Sequence, residues 1–129
     1  MTPAARDRGS STVEFSLVSV LVLFLFLLVL QIGFVLHTRT VLVAAAQEGA
    51  RYGANADRGA ADAERRALEV VSDALSPSVA ARMDRPRATV VTVDGLPVME
   101  VTLAGPLPLV FLPAGPMRLS VQGHALEEG

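Results

Sequence analysis

The chain has 129 residues, a formal net charge of −2 and no cysteine. An acidic balance of this kind does not indicate a nucleic-acid partner. Without cysteine, disulfides, thiol chemistry and cysteine-based metal sites are all excluded.

The most informative segment is the apolar run from Phe15 to Leu36. Its 22 residues include no Asp, Glu, Lys or Arg, and 18 of them are Leu, Ile, Val or Phe. As a helix this run would extend about 33 Å, which is enough to cross the hydrocarbon core of a bilayer. The alternative is a buried helix of a soluble protein, but such helices are seldom apolar on every face for six turns. We therefore predict a single membrane-spanning helix. The remaining residues, about 90 of them, suffice for one small domain.

The flanks of the apolar run bear on its orientation. The segment 1–9 is polar, contains Arg6 and Arg8, and is expected to be irregular because a proline and a glycine oppose a helix. The other flank carries Arg39 and Arg51, so the distribution of positive charge alone is a weak guide. Since the leader is so short, we expect it to stay in the cytoplasm and the C-terminal part to be exported.

Two interpretations fit the sequence Gly-Ser-Ser-Thr-Val-Glu at residues 9–14. In the local interpretation, Ser11 caps the helix and Glu14 closes a capping box three residues later. In the other, the segment is a processing site, because Gly9, a following hydroxyl residue and Glu14 resemble the cleavage site of type IV prepilins and pseudopilins. Cleavage after Gly9 would make Ser10 the new N-terminus. The two interpretations are compatible.

Chemistry gives the spacing of the processing site a role. The new α-amino group at Ser10 would be largely cationic at neutral pH. A carboxylate close to the hydrocarbon is costly alone and is usually paired. Glu14 of one chain could therefore pair with the Ser10 amine of its neighbour and set the stagger between stacked subunits.

The helix is predicted to continue through residues 37–54, which contain no proline. Small residues recur there every four positions in two rows, an arrangement that lets helices approach closely: Ala45, Gly49 and Gly53 in one, and Ala46, Ala50 and Ala54 in the other. The segment Ala44-Ala45-Ala46 also fits a signal-peptidase site, with release after Ala46. The apolar run is far longer than that of a cleavable signal, which favours an uncleaved anchor.

Together these motifs resemble the TadE-like family of tight-adherence (Flp) pilus assembly proteins. The resemblance covers about residues 8–55, with Gly-Ser-x-x-Val-Glu-Phe at 9–15 and Ala-Ala-Gln-Glu-Gly-Ala-Arg-Tyr-Gly-Ala at 45–54. It implies a pseudopilin-like, single-pass protein that acts by subunit packing and not by catalysis. The processing residues it implicates are Gly9, Ser10 and Glu14. The helix-packing motif comprises Ala45, Glu48, Gly49, Ala50, Arg51, Tyr52 and Gly53.

The resemblance also implies partners: a prepilin peptidase, other pilin or pseudopilin subunits, the inner-membrane pilus assembly platform and membrane lipid. Two rival functions remain open. One is a secreted binding domain released after Ala46, and the other is a membrane-anchored accessory subunit of a different envelope or secretion machine.

The exported part begins with a break at residues 55–59, where Asn55 or Asp57 could cap the next helix. Residues 60–75 form an amphipathic pattern typical of such a second helix. Ser76-Pro77 ends that helix, and residues 78–83 are compatible with a further turn.

The remainder of the chain changes to a strand period. Residues 88–93 and 98–103 flank the hairpin signal Asp94-Gly95, and residues 117–126 suggest a third strand weakened at Gly123. The apolar, proline-rich segment 106–116 is incompatible with a central strand or a helix and is expected to cover the core or contact a partner or membrane.

These elements predict an α+β fold: a long membrane-spanning helix with a stem, a second helix and a small three-stranded antiparallel sheet, as in pilin-like proteins. We divide the chain into a leader (1–9), the membrane helix and stem (10–55) and an exported domain (56–129). No motif pairs His37 or His124 with a catalytic partner, and Glu100 is expected to point outward from its strand. We therefore predict no enzyme activity, metal or cofactor.

Overall fold

The structure, a computed structural model, describes residues 4–107 and 117–128, with side chains from residue 9 onward. It confirms the predicted α+β class. The elements in chain order are α1 (Ala4–Gly53), α2 (Ala60–Ala74), α3 (Pro77–Arg82), β1 (Arg87–Val93), β2 (Leu96–Pro106) and β3 (Arg118–Leu126).

Helix α1 is a single helix of 50 residues, which corresponds to about 75 Å of length. It continues past Leu36 to Gly53 without a break, as predicted. Its start differs from the prediction, because the helix begins at Ala4 and includes residues expected to be irregular. One interior glycine costs only about 1 kcal/mol relative to alanine, which the turns on either side can offset. Ser11 therefore lies inside the helix, and the predicted capping box with Glu14 is wrong for this chain.

The three strands form one antiparallel sheet in the order β1-β2-β3. Val93 pairs with Leu96 across a two-residue turn. Asp94 and Gly95 there have φ angles of 51° and 79°, the conformation that a tight hairpin turn with Asp-Gly favours. The predicted hairpin is thus confirmed, although β2 is longer than the alternating pattern suggested.

Both helices α1 and α2 pack on one face of this sheet. The odd-numbered residues of β2 point toward them, and Met99, Val101 and Leu103 are almost completely buried. Helix α2 contributes Ala63, Ala67 and Val71, and α1 contributes mainly alanines to the same core. The core therefore lies between the C-terminal half of α1 and the sheet.

The N-termini of α2 and α3 are capped in different ways. The Gly59 amide donates to the Asp62 carboxylate at 3.1 Å, so the predicted caps Asn55 and Asp57 are wrong. Asp62 is the third residue of the helix, so its carboxylate makes the reciprocal half of a capping box, while the Gly59 cap has no side chain to make the other half. Helix α3 follows the serine rule, since the Val79 amide donates to Ser76 Oγ at 3.2 Å.

The proline-rich segment 106–116 lies mostly outside the described residues, including its predicted role as a cover or contact surface. At its borders, Pro106 ends β2 and the Leu107 amide donates to the Met117 carbonyl at 2.8 Å.

Candidate functional site: the two motifs of helix α1

The first motif lies on the exposed N-terminal part of α1. Gly9, Ser10 and Glu14 are all solvent-exposed. A Cβ atom added at Gly9 would meet nothing within 4 Å, so no packing contact in the described chain requires a glycine there. No described ion pair involves Glu14, which leaves its carboxylate available within the described part of the molecule.

Beyond Glu14 the helix exposes large apolar side chains on every face. Phe15, Val20 and Leu21 are 74%, 65% and 65% exposed, and they point in three directions separated by roughly 100–140° around the helix. A contiguous apolar surface of this size is not stable in water and must be covered. Because it surrounds the helix, lipid on all sides covers it better than a single partner face. Helix α1 is accordingly long and apolar enough to serve as a single-pass membrane anchor.

Burial of α1 begins at Gln31 and is continuous in its last three turns. Gln31 is 7% exposed and Thr38, seven residues later on the same face, is 2% exposed. Leu42, Ala45 and Gly49 extend this face toward the core. Sequence reasoning missed Gln31 and Thr38, although two polar residues seven apart in an apolar helix are a signal of a buried face.

One row of small residues in the second motif packs against α2. A Cβ atom at Gly49 would lie 2.7 Å from the Ala63 carbonyl oxygen and 2.8 Å from Ala67 Cβ. At Gly53 it would lie 2.4 Å from Ala63 Cβ and 3.0 Å from the Gly59 oxygen. At each glycine at least one separation is below 3.0 Å, which is too short for real atoms, so the two helices approach closely only because these positions are glycines. The pairings also show that α2 runs antiparallel to α1.

The other row of small residues packs against β3. A Cβ atom at Gly123 would lie 2.3 Å from the Ala46 carbonyl carbon, which brings the strand onto the helix backbone. Farther along, the Glu128 amide donates to the Ala54 carbonyl at 2.8 Å. Strand β3 therefore runs in the same direction as α1. Gly123, which the sequence suggested as a weak point of the strand, is the residue that permits this contact.

The charged and aromatic members of the second motif point to two different places. Tyr52 stacks under the Arg58 guanidinium at 3.8 Å, with Arg66 at 5.9 Å, and Glu48 lies 3.6 Å from Arg66. These contacts join the motif to α2 and the preceding loop. Arg51 is exposed on another side, where it lines a cavity of about 420 Å³ beside the end of β3.

The amino end of α2 has its own electrostatic arrangement next to this contact. The Gly59 amide and then the Arg65 side chain hold the pKa of Asp62 below its usual value, since both stabilise the carboxylate. Arg65 binds Asp62 at 2.7 Å, and this hydrogen bond raises the pKa of the guanidinium. The second motif of α1 thus packs beside the N-terminus of α2, where the helix dipole stabilises the negative charge of Asp62.

With both motifs placed, comparison with known proteins gives one match. Residues 9–51 match the family described as TadE-like protein. This confirms the resemblance predicted from the sequence and indicates a protein associated with the tight-adherence (Tad) pilus. Neither curated proteins nor solved structures gave a match.

The TadE-like region coincides with most of α1 and contains both motifs almost entirely. Its limits include the exposed apolar part and most of the packed part, whereas α2 and the sheet come after it in sequence. The matched segment therefore includes the exposed apolar part and connects it to the folded unit.

The outer face of the sheet carries one polar pair outside the TadE-like region. His124 Nε2 and Glu100 Oε2 are hydrogen-bonded at 2.8 Å across β2 and β3, whose register places the two residues opposite each other. The sequence correctly predicted that Glu100 points outward from its strand. It did not identify Glu100 as the partner of His124, because this pairing depends on the register of β2 and β3. Within residues 4–107 and 117–128, no group of three or more His, Asp or Glu side chains is arranged to hold a metal ion.

Proposed function

We propose that this chain is a pseudopilin-like membrane subunit for assembly of a tight-adherence pilus, and that it acts by packing and not by catalysis. The N-terminus lies in the cytoplasm, α1 spans the cytoplasmic membrane, and the α+β domain is exported. The observation that carries the proposal is the single continuous helix whose exposed apolar half and packed half both fall in the TadE-like match.

Continuity of α1 has a mechanical consequence for assembly. Because one helix extends from the exposed apolar segment into the core, a displacement of that segment along the helix axis is transmitted to the folded unit. Any contact that fixes the axial position of the helix also fixes the domain. An assembly platform can therefore position the exported domain by acting on the membrane segment.

The first motif supplies the contact that we propose for this positioning. A prepilin peptidase cleaves after Gly9. No packing contact in the described chain requires a glycine at this position, which leaves recognition by the peptidase as its proposed role. Glu14 then pairs with the Ser10 amine of an adjacent pilin or pseudopilin subunit. A carboxylate beside lipid gains most from such a pair, because the surroundings solvate a lone charge poorly.

The second motif acts inside the subunit in this proposal. Its small residues pack against α2 and β3, and Ala45 and Ala50 are both 0% exposed. They are therefore not available to contact a neighbouring subunit. The motif then serves to attach the exported domain rigidly to the anchor. Contacts between subunits are left to the exposed apolar half and the outer surface of the domain.

Release of a secreted domain after Ala46 is less compatible with the packing. Ala46 is 0% exposed and lies in the interior of α1 against Gly123. Cleavage there would remove Leu42 and Ala45 from the core and leave an apolar groove on the released domain. An accessory subunit of another envelope machine remains the second candidate, since it would share the anchor but not the processing.

The test replaces Glu14 with Gln. If Glu14 pairs with a neighbour's amine, Gln removes the charge, and breaking a buried pair can cost about 3–5 kcal/mol and less near the headgroups. We expect Glu14→Gln to insert and accumulate normally but to lose pilus assembly and crosslinking to other subunits. The control is Asp57→Asn, which removes one negative charge from an exposed loop position outside both motifs and should leave pilus assembly intact. Normal piliation by a stable Glu14→Gln protein would refute the pairing.

A further inference from the structure

The folded domain has two chemically different ends along the axis of α1. Helix α2 runs back toward the anchor, and β1 and β3 both run away from it. Among the described residues, the end from which the exposed part of α1 emerges therefore comprises the last turn of α2, helix α3, residues 83–87, the end of β2 and the start of β3. We name this the membrane-facing end.

The membrane-facing end carries more exposed arginines than exposed carboxylates. Its exposed charged residues are two aspartates, Asp73 and Asp84, and five arginines, namely Arg39, Arg82, Arg85, Arg87 and Arg118. Asp84 is already bound by Arg118. No described ion pair involves Arg39, Arg82, Arg85 or Arg87. One partly buried carboxylate lies beside two of them, since Glu64 accepts a hydrogen bond from the Ala88 amide and lines a pocket with Arg85 and Arg87. In the rest of residues 37–128 the balance is reversed, with four arginines against nine carboxylates.

We propose that the membrane-facing end binds the anionic headgroups of the bilayer that α1 spans, and so seats the domain on the membrane. This rests on the anchoring in the proposed function. Arginine suits the role because its planar guanidinium binds phosphate oxygens in a bidentate manner. A basic residue close to an anionic surface strengthens attachment about fivefold.

The position of the arginines along α1 identifies lipid as the occupant. Leu36 is the last large apolar side chain of the exposed run, at 56% exposure. Arg39 follows three residues later, which is roughly 4.5 Å along the helix. If lipid covers Leu36, the headgroup layer coincides with Arg39 and the arginines around it.

Seating would restrict the tilt of the domain and hold its acidic far end away from the bilayer. The hairpin turn at Asp94-Gly95 and the C-terminal carboxylates Glu127 and Glu128 lie at that far end. These surfaces would then face other subunits or solvent at a fixed height above the membrane.

The experiment uses the full chain reconstituted into vesicles of phosphatidylcholine alone or mixed with phosphatidylglycerol. The chain has no cysteine, so single-cysteine variants take one fluorophore each. Ala81→Cys reports on the membrane-facing end and Ala61→Cys on the far end, since both residues are exposed on helices. Quenching by acrylamide, which is uncharged, measures the access of water to each label.

The label at Ala81 should be quenched less in the anionic vesicles, and the label at Ala61 equally in both. The protection should disappear when salt rises from about 0.1 M to 1 M, because the screening length falls from about 10 Å to 3 Å. The double variant Arg82→Gln/Arg85→Gln should weaken seating about 25-fold and abolish the protection. Its control, Arg51→Gln/Arg58→Gln, makes the same charge change at the far end and should retain it.

Equal quenching at Ala81 in both lipids would overturn the inference, as would equal behaviour of the two double variants. Extraction with alkaline carbonate separates this failure from failure of the proposed function. A protein that stays in the vesicles but shows no lipid-dependent protection refutes only the seating. A protein that is extracted was never anchored, and both proposals then fall.

Discussion

The two halves of α1 share one backbone and differ in almost everything else. From Val13 to Leu36 the helix carries large apolar side chains that are mostly exposed, whereas from Leu42 to Gly53 small residues predominate and most of them are buried. Large side chains on every face keep other protein elements at a distance and suit a fluid solvent such as lipid. Small ones on two faces bring α2 and β3 onto the backbone. Side-chain volume, not hydrophobicity alone, thus decides which half becomes core.

The largest difference between the two halves should be in the unfolding free energy lost when a leucine in or packed against each half is replaced with alanine. Leu103 is fully buried on β2 against the packed half of α1, whereas Leu21 is 65% exposed on the other half. Leu103→Ala should lower the stability of the domain by about 2–5 kcal/mol, and Leu21→Ala should leave it unchanged. Chemical unfolding of the full chain in detergent, followed by the fluorescence of its one tyrosine, measures both. Comparable losses from the two variants would mean that the exposed half is part of the core.

A smaller effect is expected from adding volume at glycines of the same helix. Gly53→Val places atoms where α2 already lies and should cost about 1–3 kcal/mol. Gly33→Val is the control, because it makes the same substitution in the same helix and meets nothing within 4 Å. The difference in unfolding midpoint between the two variants isolates the packing cost. Equal midpoints would show that the approach of α1 and α2 does not depend on glycine.

The smallest effect concerns pH and the N-terminus of α2. Because folding lowers the pKa of Asp62, its contribution to stability is complete above the unfolded pKa near 3.9 and is lost as pH falls through the folded value. Relative to its intrinsic rate at each pH, hydrogen exchange of the Gly59 amide, which donates to Asp62, should therefore accelerate below about pH 4 in the native chain. Asp62→Asn should remove that pH dependence, whereas Asp57→Asn, in the exposed loop, should preserve it.

Much of the fold could be predicted because its signals are local. The apolar run, the amphipathic period of α2 and the Asp-Gly turn each depend on a few neighbouring residues, and all three are confirmed. The start of α1 was mistaken because helix breakers were weighed without the stability of the long helix beyond them. The cap of α2 was mistaken because Asp62 acts from inside the helix.

The candidate site was less predictable because its geometry is set by distant residues. The rows of small residues in α1 suggest close packing, but only the structure shows α2 against Gly49 and β3 against Ala46. The role of Gly123 depends on a helix residue far away in sequence. The arginines of the membrane-facing end are likewise scattered along the chain and meet only through the topology of α2, α3 and the sheet.

The most direct test of the proposed function is the intact mass and N-terminal sequence of the protein isolated from the membranes of its native host. We predict a mature chain that begins at Ser10, with the rest of α1 retained in the membrane, and a Gly9→Leu variant that keeps the leader. A wild-type chain that still carries residues 1–9 would contradict processing. A chain that begins at Gln47 would contradict the anchored subunit altogether.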